Sequence, residues 1–566
     1  MKSYKEIITE LLVASDIGLA YDEILETIEI PPDNAMGDYA FPCFKLAKIK
    51  RNSPVNIAKD LSETISKPQG IAKIINQGPY LNFFIDRTDI VKTVIENVKE
   101  KGDKYGSSDI GKGKNAIVEY SSTNIAKPFH IGHIRSTVIG NVIKNLYKFT
   151  GYNTTSINYL GDHGTQFGMM IAAYKLWGDD DKINENPIKE LLKLYVDYNE
   201  LANQDPEKMD DARRWFSELE SGNPEAVKLW EWFKEISLGE FNRVYDMLGV
   251  EFDSYNGESF SSQFIDDVIK ELRDKNLLEM SDGAEIINLE DEGLPNMIVI
   301  KSDGSSTYIT RDIATALYRK REYDFHKNIY VVGSQQILHF QQLKACLKKM
   351  GYEWADDCIH VPFGMVSLKD QTLSTRRGQV VFLEDVLNKA VEKTEEIINE
   401  RNPNLENKDE VAKQVGIGAV IFQELFSNRI KDYVFDWDNT LNYDGETGPY
   451  VQYTIARANS ILERAGKINN EAIDYSLIIS DSEFELASTI YNLPQKILDA
   501  VEKYEPSYVT RQLVEIASAF NSFYNACPIL NAESDIKNAR LELVSCTASV
   551  LRSGLKLLGI ESPNKM

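Results

Sequence analysis

The chain has 566 residues, 43% hydrophobic and 27% charged, and 87 acidic against 63 basic side chains give a formal charge of −24. No run approaches the roughly 20 apolar residues needed to cross a bilayer, so no membrane partner is expected. Five scattered cysteines (Cys43, Cys346, Cys358, Cys527, Cys546) include no CxxC pair, which argues against a disulfide framework or a cysteine-based zinc site and for a reducing, cytoplasmic setting. The acidic total speaks against a globally basic nucleic-acid binder, but it does not fix the sign of any one face. RNA held by local basic stripes stays possible, with a salt-sensitive affinity.

A chain of this length predicts several domains, about two to four. Residues 1–110 read as an N-terminal α/β module. MKSYKEIITELLVASD is charge-interrupted and amphipathic, a helix and not a secretory signal. The turn-rich IEIPPDNAMGDYAFP follows, and the aromatic run GPYLNFFID reads as a strand. KGDKYGSSDIGKGKN is the linker. Residues 111–385 then read as a Rossmann-like parallel-sheet domain. AIVEYSS is a strand, a helix is predicted from near Pro128 with Gly151 as its stop, and YNTTSINYLGD is the next strand. An inserted segment lies near 175–300, its part up to about residue 240 polar and helical. Strand patterns return in MIVIKSDGSSTYIT, NIYVVGS and IHVPFGMVSL. Residues 386–566 are helical throughout, with SFYNACPIL as a short apolar break.

The densest chemistry is KPFHIGHIRST, residues 127–137, which holds two of the chain's six histidines. Ligands of parallel sheets sit at the carboxyl ends of strands, beside helix N-termini. AIVEYSS would deliver Glu119, Ser121 and Asn124 there, with Lys127, His130 and His133 on one face of the first helical turns. Gly132 would leave bare backbone for a flat ring. Three readings are open: surface histidines, a zinc site completed by Asp162 and His163, or a nucleotide site in which imidazoles and an ammonium face a reacting phosphate. The glycine, with Lys127 and Arg135 nearby, opposes zinc. Farther on, the hydroxyl-rich and doubly cationic loop at 369–378 follows a strand and could fold over a triphosphate.

HIGH at 130–133 and LSTRRG at 373–378 resemble the two signatures of class I aminoacyl-tRNA synthetases, the second in the altered form found in arginyl-tRNA synthetases. The blocks VEYSSTNIAKPFHIGHIRSTVIGN, LGDHGTQFGM, YITRDIATALYR, VVGSQQ and DYVFDWDNTLNYDGETGPYVQYT resemble the same family. The resemblance implies ATP with Mg²⁺, L-arginine and tRNA(Arg) as substrates, no protein-liganded metal, and a helical anticodon-binding domain at the C-terminus; nothing in the sequence demands more than a monomer. It implies that Glu119, Asn124, Tyr308, Asp312 and Gln336 bind arginine, whose planar five-donor guanidinium needs carboxylate and amide acceptors. It puts His130, Gly132, His133, Gly364, Met365, Val366 and Ser374 on ATP. Lys127, His130 and His133 would stabilise the α-phosphate. Lys127 with Arg376 or Arg377 would supply the charge missing where the KMSKS lysines are replaced by Thr372 and Thr375. Anticodon contacts fall on Tyr450, Tyr453, Arg457, Tyr524 and Met566, while Pro528 stands where some relatives carry an aromatic. The N-terminal module would touch the outer corner of the tRNA or serve as a plain stabilising module. A catalytically silent tRNA-binding relic should have lost a histidine, a carboxylate or the loop. A small nucleotidyltransferase would not need the long helical C-terminus.

Overall fold

The structure, a computed structural model, describes residues 3–125, 127–368, 381–466 and 473–566. Ser374, Arg376 and Arg377, with the threonines Thr372 and Thr375, lie outside the described residues. Contacts divide the chain into two units.

The first unit comprises Met1–Tyr105, Ala458–Asn492 and Ser518–Val550. Its helix Tyr4–Ala14 opens with a capping box in which Ser3 and Glu6 satisfy each other's backbone N–H groups. Strands β1 (Tyr39–Pro42), β2 (Ile71–Gln77) and β3 (Tyr80–Ile85) form an antiparallel sheet in the order β1-β3-β2. The N-terminal residues are bonded to the later helices of the same unit. The Tyr4 N–H donates to the Tyr491 hydroxyl at 2.9 Å, the Tyr105 hydroxyl to the Ile490 carbonyl at 3.1 Å, and Lys99 pairs with Glu542 at 2.9 Å.

The second unit, Gly106–Arg457, Leu493–Ala517 and Leu551–Met566, is built on a four-stranded parallel sheet. Strands β4 (Asn115–Glu119) and β5 (Asn153–Ile157) are joined by the helix Ile134–Phe149, which stops at Thr150 and Gly151 as predicted. The next three strands, β6 (Glu279–Ser281), β7 (Ala284–Ile287) and β8 (Met297–Ile300), make a small antiparallel sheet inside the inserted segment. The parallel sheet resumes with β9 (Lys327–Gly333) and β10 (Cys358–Phe363), giving the order β10-β9-β4-β5. After Asn115, every β4 residue is buried, which is why the strand reads as an unbroken apolar run and not an alternation.

Two strand readings were too long. MIVIKSDGSSTYIT is a strand only to Ile300, and Tyr308 already begins the helix Tyr308–Tyr323. IHVPFGMVSL is two strands in two sheets. After β10 the chain leaves at Gly364, and β11 (Val366–Leu368) pairs with β12 (Tyr433–Phe435). In the insertion, helices Pro187–Gln204, Pro206–Glu220 and Pro224–Leu248 each begin with proline, whose missing N–H costs nothing in a first turn. No helix among the described residues is long and apolar enough to cross a membrane.

Candidate active site

Strands β4 and β9 are parallel neighbours, yet β4 continues to β5 on one side and β9 to β10 on the other. That reversal opens a crevice at their carboxyl ends, the usual ligand position in such sheets. Leaving β4, Ser121 and Ser122 take left-handed φ values of 68° and 48°, a conformation that costs energy and needs support. The Ser121 N–H donates to Ser136 Oγ at 2.9 Å, and its hydroxyl lies 2.8 Å from both Thr137 Oγ1 and the Tyr245 hydroxyl. Ser121 is therefore committed to scaffolding, and the turn it creates leads on to Asn124 and Lys127.

The helix after this turn begins later than predicted. His130 is extended, Ile131–His133 is a single 3-10 turn, and the α-helix starts at Ile134. The two imidazoles still meet, with ring centroids 3.9 Å apart, but a backbone exchange brings them together and not a shared α-helical face. The His130 N–H donates to His133 Nδ1 at 3.1 Å, and the Gly132 N–H donates to His130 Nδ1 at 3.0 Å. A Cβ on Gly132 would lie 2.8 Å from His130 Cε1, so glycine makes room for a protein ring at this point. Burial, with smaller contributions from the neighbouring imidazole and Lys127, pushes His133 down to about 3. Burial and then Lys127 also lower His130. Both rings are neutral near pH 7, both Nδ1 atoms accept, and so both protons sit on Nε2. The pair presents two neutral N–H donors.

The guanidinium candidates converge from four elements. Glu119 ends β4, Tyr159 follows β5, Asp312 lies on the helix Tyr308–Tyr323, and His339 lies on the helix Ile337–Lys349 after β9. Burial raises the Glu119 pKa, Arg319 opposes it, and a smaller repulsion from Asp312 adds to the rise. Tyr159 feels both carboxylates. The two acids thus face one cleft, but they are not equivalent. Glu119 is already bound by Arg319 at 2.5 Å, and that pair is almost wholly buried. Asp312 accepts from His339 Nε2 at 2.6 Å. Tyr308 is 65% exposed, with the Arg311 guanidinium 4.7 Å from its ring centroid. Gln336 is exposed at the end of the Ser334–Gln336 turn. Glu258, pushed up to about 7 by burial against the attraction of Arg311, is coupled to Asp312 as well. Sequence reasoning missed Arg319, His339, Tyr159 and Glu258. Two of these were within reach: Arg319 lies two helical turns after Asp312, and His339 stands three residues after Gln336.

Arg135 does not join the histidines. It is fully buried, donating to the carbonyls of Gly364 at 3.0 Å and Lys431 at 2.8 Å. Its Nε lies 3.5 Å from Glu424, whose carboxyl burial pushes up to about 7, with Arg135 and a hydrogen bond from Tyr433 opposing. Gly364 itself admits no side chain, since a Cβ would lie 2.6 Å from the Ile430 carbonyl and from Asp432 Oδ1. Met365 is bonded through its N–H to Asp432, and Val366 is buried in β11. Beyond residue 380, the Ile131 N–H donates to the Val381 carbonyl and the Leu383 N–H to the Phe129 carbonyl. Both chain ends flanking the second signature are therefore fastened beside the first.

Asp162, weighed as a zinc ligand, is held by Lys234 at 2.7 Å and by the Ser259 N–H and hydroxyl. His163 lies against Phe216 and 3.6 Å from Glu220. Both side chains fasten the inserted helices. Of the anticodon candidates, Tyr450, Tyr453 and Arg457 share one face of the helix Gly448–Ala465, with Arg457 4.9 Å from the Tyr453 ring centroid. Tyr453 and Tyr524 are exposed. Met566 is half-buried against the cluster of Ile398, Val411, Ala412 and Val415.

Residues 94–437 match the family described as tRNA synthetases class I (R), catalytic domain. Residues 451–566 match the DALR anticodon binding domain, and 2–85 the arginyl tRNA synthetase N terminal domain. Fold and cleft together are those of a class I aminoacyl-tRNA synthetase. The chain is 54% identical over 566 residues to the arginine–tRNA ligase of Halothermothrix orenii, and 52% identical over 566 residues to that of Clostridioides difficile, covering 100% of each chain in both cases. The solved Thermus thermophilus arginyl-tRNA synthetase shares the fold with a TM-score of 0.83 at 24% identity, covering 100% of this chain and 99% of that one. The chain belongs to the arginyl-tRNA synthetase family.

Proposed function

We propose that this protein is an arginine–tRNA ligase and that its two steps share the β4/β9 crevice. An arginine carboxylate oxygen attacks the α-phosphorus of ATP, taken as its Mg²⁺ complex. A phosphorus–oxygen bond forms, another breaks, and pyrophosphate leaves. The terminal ribose hydroxyl of tRNA(Arg) then attacks the activated carbonyl and AMP departs. Asp312 takes the guanidinium, helped by Glu119, Tyr308, Asn124 and Gln336. The Nε2–H groups of His130 and His133, with Lys127, donate to phosphate oxygen as charge builds there, so no residue need act as nucleophile or proton base. Gly364 to Val366 hold adenosine, and Ser374, Arg376 and Arg377 close over the phosphates. Tyr450, Tyr453, Arg457, Tyr524 and Met566 contact the anticodon arm, where aromatic faces can stack on unpaired bases. The five buried free cysteines fit a reducing, cytoplasmic setting.

The observation that carries this reading is the placing of the acids and imidazoles: Glu119 ends β4 and pairs with Arg319, which lies on the same helix as Asp312, and the imidazole pair stands in the turn that follows β4. ATP–pyrophosphate exchange with and without tRNA(Arg), using arginine and lysine, tests it. Arginine-dependent exchange and charging are expected. Lysine should fail, since unpaired acceptors in the pocket cost about 1–3 kcal/mol each. Tight tRNA binding without any exchange would return the silent-relic reading.

A further inference from the structure

Strands β11 and β12 pair over three residues each, with Val366 opposite Tyr433 and Leu368 opposite Phe435. A two-stranded ribbon is marginal on its own, so its place must be set from outside. One guanidinium does much of this. Through a single nitrogen, Arg135 donates to the carbonyl of Gly364, two residues before β11, and to that of Lys431, two residues before β12. Arg135 also stands two residues after His133, in the first turn of the helix Ile134–Phe149. The roots of both strands are thus tied to the helix that leaves the imidazole pair. Residues 369–378, which carry the second signature, follow β11 directly in the chain.

Arg135 is itself held by two residues outside both signatures. The Tyr433 ring faces it, with the guanidinium carbon 5.3 Å from the ring centroid. The Tyr433 hydroxyl donates to Glu424 Oε1, and Glu424 Oε2 lies 3.5 Å from Arg135 Nε, with neither charged side chain exposed. Glu424 comes from a third element, the helix Lys408–Phe426. Stability is a weak reason for this arrangement. Burying two charges is costly, and apolar side chains of similar volume often serve as well unless the pair's geometry is excellent. Here it is slack: Arg135 Nε and Glu424 Oε2 make no hydrogen bond with one another or with any partner among the described residues. What Glu424 and Tyr433 do supply is a fixed direction for the guanidinium, which leaves one nitrogen aimed at two carbonyls.

We propose that Glu424 and Tyr433 are positioning residues for adenylate formation, acting through Arg135 to set where the root of β11 stands relative to the imidazole pair. The inference rests on the ligase reading above. Misplacing reacting groups by about 1 Å can slow a reaction about 100-fold, so a modest shift of this root should be measurable. The test uses three full-length variants: Tyr433→Phe, which removes only the hydroxyl, Glu424→Gln, which keeps the shape but not the charge, and the two combined. Single-turnover ATP cleavage is measured per titrated active site, with arginine and tRNA(Arg) present. Each single variant should slow that step about tenfold and raise the KM for ATP, with the KM for arginine within about twofold of the parent. The combined variant should be about as slow as either one, because the two residues act as a unit. A role in stability alone would lower the melting temperature or the number of active sites and leave the rate per site unchanged, which would overturn the proposal. Losses that multiply in the combined variant would overturn it too, as would a KM that rises for arginine in place of ATP. If Glu424→Gln does not fold, the rate per site and the KM values of Tyr433→Phe decide. A parent inactive with arginine would sink the ligase reading itself, whereas an active parent with unaffected variants would sink only this inference.

Discussion

Asp312→Ala is expected to lower kcat/KM for arginine by about 100- to 1,000-fold, the cost of truncating one partner of a desolvated charge pair. The effect should fall on arginine, leaving the KM for ATP within about twofold of the parent, because on this account Asp312 meets the guanidinium and the imidazole pair meets the phosphate. Its size follows from the unequal state of the two acids. Glu119 is held by Arg319 in a buried pair, so its charge is largely balanced before substrate arrives. Among the described residues, the hydrogen-bond partner of Asp312 is the His339 imidazole, which donates one hydrogen bond. The incoming guanidinium must then find its counter-charge chiefly at Asp312. Steady-state kinetics for arginine and ATP on the same preparation check this, and an unchanged KM for arginine would remove Asp312 from the pocket.

His133→Ala should slow adenylate formation by about 100-fold, as removal of one preorganised transition-state donor does elsewhere. His133→Gln, which restores an N–H near the Nε2 position, should recover part of the loss. The pH profile separates this account from one based on imidazolium charge. With His133 held near 3, its ring gains no proton between about pH 8 and pH 5 and contributes no limb to the rate in that range, and His130 is lowered as well. If a charged imidazolium were needed, the rate would rise as pH fell through the ordinary histidine value of about 6.5. Single-turnover measurements of adenylate formation show which holds.

The parallel sheet, the strand–turn–helix around HIGH and the apolar β4 were legible because each is local: a short apolar run, a turn and a periodic helix. What failed was the part fixed by distant partners. Arg135 looked like a cation of the histidine cluster, yet its carbonyl acceptors lie 229 and 296 residues away. Glu119 looked like a free carboxylate, and its guanidinium partner stands 200 residues on. The helix was started too early because His130 and His133 obey helical spacing while the backbone between them is a single 3-10 turn. Tyr308 was read into a strand because its β-prone neighbours outweighed the capping position of Thr307.

The most direct test is a structure of the protein with a non-hydrolysable arginyl-adenylate analogue. The account predicts the guanidinium against Asp312 and the phosphate oxygens within hydrogen-bond reach of Nε2 of His130 or His133. A guanidinium seated elsewhere, or a phosphate held away from the imidazole pair, would contradict it.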